Sequence, residues 1–101
     1  MVTTSLTRDL ETTRKIVLKH LIGYHAKVYL FGSQAKGKAY RSSDIDVAIL
    51  PLHPFPTQVL SEIREDLDES DILYPVDLVD LSETDEKFRQ RVQKEGTLWK
   101  E

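Results

Sequence analysis

Asp44 and Asp46 head the run Asp44-Ile45-Asp46-Val47-Ala48-Ile49-Leu50, in which acid and apolar residues alternate before the apolar residues become continuous. This is the pattern of a strand with a wet beginning and a buried end. Residues i and i+2 of a strand share a face, so the two carboxylates project together while Ile45 and Val47 turn toward a core. Paired carboxylates repel unless one is protonated or a cation lies between them. Mg²⁺ resolves that repulsion, because it favours a few carboxylates together with substrate phosphate oxygens. An isolated Asp-x-Asp is more often a solvated strand end, so its neighbours must decide its meaning.

Upstream, Lys27-Val28-Tyr29-Leu30-Phe31 reads as a short β-branched and aromatic strand ending at Gly32. Gly32 lets backbone approach a phosphate closely, and the following N–H groups and the Ser33 hydroxyl are donors to it. Gly37 adds a second flexible point. A strand, a Gly-Ser turn, a short helix and loop, then Ser43-Asp44-x-Asp46 on the next strand set a phosphate cradle beside a metal pair. Phosphoryl or nucleotidyl transfer requires that pairing: metal neutralises the triphosphate, activates the attacking oxygen and stabilises the leaving pyrophosphate, while the protein mainly positions the reactants.

A third acid comes from Pro75-Val76-Asp77-Leu78-Val79-Asp80-Leu81. Asp77 and Asp80 are three apart in a predicted strand, so they face opposite sides of the sheet and only one can join Asp44 and Asp46. Asp77 lies between apolar neighbours and has the greater need of a partner or cation. It is the preferred candidate, subject to strand register.

The elements that must hold these groups follow from periodicity. From Thr7 to Tyr24, Leu10, Ile16, Val17 and Leu21, flanked by Leu18 and Ile22, recur at helical spacing, with Gly23 as the stop. Pro51, Pro54 and Pro56 mark a turn. Leu60, Ile63 and Leu67 place a helix over Thr57 to Ser70, and Val76 to Leu81 forms a third strand. Thr84 or Asp85 caps a last helix running to Glu95, with Gly96 as its stop. The expected order is α-β-(short α)-β-α-β-α. An α/β (α+β) fold follows, a small mixed β-sheet with flanking helices; the pattern leaves open which strands are parallel.

The 101 residues suit one domain, 1–101. With no cysteine, disulfides, thiolate metal sites and cysteine nucleophiles are excluded, and the composition is compatible with the cytoplasm. No apolar run approaches a membrane span, and Met1 to Leu6 does not read as a signal peptide. A net charge of −3 argues against general nucleic-acid binding, although Lys36, Lys38 and Arg41 cluster around Tyr40.

Three blocks, Leu30-Phe31-Gly32-Ser33-Gln34-Ala35-Lys36-Gly37, Ser42-Ser43-Asp44-Ile45-Asp46-Val47-Ala48-Ile49 and Val76-Asp77-Leu78-Val79, together resemble the nucleotidyltransferase superfamily that includes DNA polymerase β. The small size and the Ser-Asp-Ile-Asp version point to its minimal nucleotidyltransferases. The resemblance implies a nucleotidyltransferase fold with two motif acids on one strand and the third on its neighbour. It implies Asp44, Asp46 and Asp77 as catalytic metal ligands for Mg²⁺, with Asp77 also the base for the attacking hydroxyl. Gly32, Ser33, Lys36 and Ser43 would bind the nucleoside triphosphate, with ATP the expected donor of AMP. Many relatives carry Arg where this chain has Lys36, which keeps the charge but loses the bidentate fork.

Members of this group often occur beside an all-helical ribonuclease toxin of the HEPN type, which makes an antitoxin role the expectation. Larger relatives hold the acceptor on an extra helical domain, so here a partner or a homodimer must supply that surface. Two alternatives remain: the same chemistry on a small molecule such as an aminoglycoside, and a binding antitoxin that does not catalyse.

Other residues read more plainly. His20, His25 and His53 show no shared ligand spacing. Tyr29, Tyr74 and Phe55 suit the core or its edge. Glu62 to Glu69 reads as a solvated helix face. Leu98 and Trp99 suit packing back on the core, or contact with a partner.

Overall fold

The computed structural model describes residues 5–31 and 45–100. Its elements are α1 (Ser5–His20), β1 (Ala26–Phe31), β2 (Ile45–Pro51), α2 (Gln58–Glu69), β3 (Val76–Asp80), a 3-10 turn (Leu81–Glu83), α3 (Glu86–Glu95) and β4 (Thr97–Lys100). The strands form one mixed sheet in the order β3-β2-β1-β4. β1 runs antiparallel to β2 and to β4, and β2 and β3 are parallel. A parallel pair needs a crossover connection, and α2 lies within it.

Strand alternation divides the interior in two. Val28, Leu30, Ile45, Val47, Ile49 and Leu78 pack with Val17 and Leu21 from the α1 region and with Val59, Leu60, Ile63 and Leu67 of α2. The opposite face carries a smaller cluster, in which Tyr29, Ala48, Leu81 and Val92 of α3 are joined by the half-buried Phe31, Leu50, Val79 and Phe88. β2 is therefore covered on both faces, which is why its apolar run is continuous.

The helices end where local chemistry stops them. Lys19 and His20 occupy the last turn of α1, where cations complement the helix dipole. Gly23 then takes φ +88°, a left-handed conformation that costs glycine nothing. Asp85 caps α3, its carboxylate accepting the Phe88 N–H at 2.7 Å.

Three sequence expectations change, and a fourth, Gly96 as the stop of α3, holds. α1 stops at His20, and Ile22, counted with its apolar face, is 77% exposed in the turn that follows. Leu81 belongs to the 3-10 turn. Gly96 stops α3 by close approach in extended backbone, since a Cβ there would lie 2.6 Å from Val92 O and 3.1 Å from Leu30 O. The tail is a fourth strand: Leu98 pairs with Tyr29 and Thr97 with Leu30. Four residues give too short a pattern to show period two, and the ladder to β1 supplies what the pattern lacks. The expected short helix after Gly32 lies outside the described residues.

Candidate functional site

Phe31, Asp46 and Asp77 form one row across three strands. Asp46 is the register partner of Phe31 in the antiparallel pair and of Asp77 in the parallel pair. Partners at one level share a face, and here it is the α3 face: Tyr29, Ala48 and Val79, two residues away along each strand, belong to the cluster under α3. Neighbouring strands lie about 4.8 Å apart, so carboxylates on adjacent strands are close enough to share one cation. Asp46 is half-buried at the head of an inner strand, and Asp77 is exposed on an edge strand. Asp77 was expected to be embedded between apolar neighbours; those neighbours, Val76 and Leu78, point to the other face.

Asp80 is placed differently. It pairs with Ile49, on the opposite face from Asp77. Its Oδ1 accepts the Ser82 N–H at 2.9 Å and the Ser82 hydroxyl at 2.6 Å, which caps the 3-10 turn. Gly32, Ser33, Lys36, Ser43 and Asp44 lie outside the described residues. Among the described residues no three His, Asp or Glu side chains converge, so the row contributes two carboxylates. These are hard, anionic oxygen donors, which suit Mg²⁺ and leave positions for phosphate oxygens and water.

Two residues that position the row escaped the sequence reading. Asp9 on α1 is 1% exposed, and its Oδ2 accepts the N–H groups of Leu73 at 2.8 Å and Tyr74 at 3.1 Å. The Thr13 hydroxyl, one turn on, donates to Asp9 O at 2.7 Å. Asp9 thus pins the segment that leads into β3, where Pro75 O accepts the Ile45 N–H at 2.8 Å and starts the parallel ladder. Its signal was available: Asp9, Thr13 and Val17 recur at four-residue spacing, so the acid falls on the buried stripe. Arg64 of α2 reaches round the outer edge of β3 and donates to Leu78 O at 3.2 Å. It borders a cleft of about 230 Å³ with Leu67, Asp68, Val76, Asp77 and Leu78. No sequence pattern marks Arg64, because the contact depends on β3 being an edge.

The histidines serve elsewhere. His20 Nε2 lies 2.9 Å from Asp66 Oδ2, and Lys19 Nζ lies 3.4 Å from the same oxygen. The His20 hydrogen bond holds the Asp66 carboxyl below its usual value, against desolvation, which opposes it, and with further help from Lys19. The face of α2 read as simply solvated is therefore tied to α1 at this point. His25 and His53 meet edge-on, with ring centroids 5.1 Å apart.

The polymerase β nucleotidyltransferase family matches residues 11–101. A probable protein adenylyltransferase MntA of Haemophilus influenzae is 38% identical over 80 residues, covering 79% of this chain and 69% of that protein. A protein adenylyltransferase MntA of Shewanella oneidensis is 37% identical over 73 residues, covering 71% of this chain and 52% of that protein. The chain thus spans about two thirds of one relative's length and about half of the other's. Among solved structures, a toxin–antitoxin complex with AMP-PNP matches at TM-score 0.64 and 30% identity, covering 85% of this chain and 71% of the matched one. A complex of tri-AMPylated Shewanella oneidensis HEPN toxin with MNT antitoxin matches at TM-score 0.58 and 26% identity, covering 88% and 70%. With the matched region running from α1 through β4, this chain belongs to the polymerase β nucleotidyltransferase family.

Proposed function

We propose that this protein transfers AMP from ATP to a hydroxyl group on an all-helical HEPN-type toxin, and thereby acts as its antitoxin in the cytoplasm. The observation that carries the reading is the register of Asp46 with Asp77, which puts two carboxylates side by side at one end of the sheet. The relatives' names, protein adenylyltransferase and AMPylated toxin with antitoxin, supply the acceptor class. AMP-PNP in a matched complex supports an adenine nucleotide as donor.

In this reading Asp44, Asp46 and Asp77 hold Mg²⁺. The bound metal would supply charge neutralisation of the triphosphate and of the departing pyrophosphate. Gly32, Ser33, Lys36 and Ser43 hold the triphosphate. The acceptor hydroxyl oxygen forms a bond to the α-phosphorus, the bond from that phosphorus to the bridging oxygen breaks, and pyrophosphate leaves with its electrons. Asp77 takes the hydroxyl proton; as the exposed member of the row it stands where an acceptor on another protein can reach it.

The test is incubation with Mg²⁺ and α-labelled ATP, with and without the product of the neighbouring gene or a HEPN-type toxin, using Asp44→Ala/Asp46→Ala as control. Label on the toxin that vanishes in the double variant is expected. Neutralisation without label would replace this reading with a binding antitoxin, and label on an aminoglycoside alone would replace the acceptor.

A further inference from the structure

The third member of the row is an aromatic ring. Phe31 meets Phe88 of α3 edge to face, with centroids 5.7 Å apart and planes at 85°, a favoured aromatic geometry. Phe88 is in turn tied to the capped first turn of α3 by the bond from its N–H to the Asp85 carboxylate at 2.7 Å. On the strand side the link is through backbone. Antiparallel ladders alternate between pairs that exchange hydrogen bonds and pairs that do not. Leu52 N–H donates to His25 O at 2.8 Å, and the register from there to Phe31 and Asp46 is unbroken. Stepping two residues at a time places Phe31 and Asp46 in the bonded class. A continuous path therefore runs from α3 through Phe88 and Phe31 to the backbone of Asp46.

We propose that Phe88 is a positioning residue for nucleotidyl transfer: through Phe31 it fixes where the Asp46 carboxylate stands relative to Asp77. This rests on the reading of those two aspartates as metal ligands. Phe31 and Asp46 are cross-strand neighbours on the α3 face, at a separation where opposite side chains interact, so the position of the Phe31 ring bears on the space open to the Asp46 carboxylate. Residues that orient a ligand from behind govern metal affinity as well as rate. Val92, one turn further along α3, is buried in the same cluster and reports on packing alone.

The experiment measures Mn²⁺ affinity of the full chain from the electron paramagnetic resonance of free Mn²⁺, alongside thermal unfolding and the kinetics of AMP transfer. Phe88→Leu is expected to weaken Mn²⁺ binding and lower kcat by about 10-fold each, the scale of an orienting partner at a metal site, with the KM for ATP little changed. Val92→Ala is expected to lose at least as much thermal stability and keep its Mn²⁺ affinity, and Phe88→Tyr, which retains the ring, to stay close to wild type. If Phe88→Leu does not unfold cooperatively, Phe88→Met repeats the comparison with the same expectation. Wild-type affinity and turnover in the folded Phe88 variant, or an equal loss of affinity in Val92→Ala, overturns the inference. A wild type that binds no Mn²⁺ overturns the metal reading of Asp46 and Asp77 itself.

Discussion

Asp46 of β2 and Asp77 of β3 are register partners across the parallel pair formed by these two strands. Thirty residues of chain, including α2, separate them in sequence, yet the ladder sets them at the same level on the same face. Like charges directly opposite one another in a sheet are destabilising, on the scale of about 0.2–1 kcal/mol. In the proposed function a shared cation offsets that repulsion.

Asp77→Asn removes that repulsion. Without divalent cation and at low ionic strength, the variant is expected to unfold at the same or a slightly higher temperature than the wild type. Saturating Mg²⁺ should reverse the order, because a ligand at 100 times its Kd adds about 2.7 kcal/mol to the form that binds it. AMP transfer should fall at least about 100-fold, beyond what loss of an outer partner of a metal site produces. Thermal scans with and without Mg²⁺, beside a labelled-ATP assay, check both parts.

Asp9 predicts a stability effect at a distance from the site. Replacing it with Ala leaves two N–H groups of the segment before β3 without their carboxylate. Hydrogen bonds to a charged group contribute about 1.5–3 kcal/mol, so Asp9→Ala should cost about 3 kcal/mol in urea unfolding. Amide exchange at Leu73 and Tyr74 should accelerate first.

The pair of His20 and Asp66 predicts an acid limb in the stability profile. The Asp66 carboxyl titrates below its ordinary value in the folded chain, chiefly through the His20 hydrogen bond. A group with a lowered folded pKa binds more protons when unfolded, so stability rises with pH there. Its contribution is present above the ordinary carboxylate value and is lost as pH falls through the folded value. Asp66→Asn should unfold at a lower temperature than wild type near neutrality, and the two melting curves should converge as pH falls below the carboxylate range.

Gly96→Ala tests the junction of α3 and β4. The added Cβ meets two backbone oxygens, Val92 O at 2.6 Å and Leu30 O at 3.1 Å, neither of which can swing aside. Overpacking of this kind costs about 1–3 kcal/mol. The expected signature is lower denaturant stability together with faster amide exchange in β4, while Ile22→Thr, at a residue 77% exposed, should leave stability within about 0.5 kcal/mol.

Much of this protein was legible in the order of its residues. Leu60, Ile63 and Leu67 announced α2 because helical spacing is local, and all three are buried. Ile45 and Val47 announced their turn toward the core because strand alternation is local too, and both are fully buried. The same alternation put Asp77 and Asp80 on opposite faces. What only the tertiary structure decided is which residues meet across elements. Whether Asp77 or Asp80 stands beside Asp46 depends on the register of two strands brought together by a crossover, and a shift of one residue would have exchanged their faces. The edge position of β3, the capture of Asp9 by the segment before it and the recruitment of Thr97–Lys100 as β4 depend likewise on neighbours far along the chain. Periodicity reports the face a residue turns to its own element, and packing alone determines what that face meets.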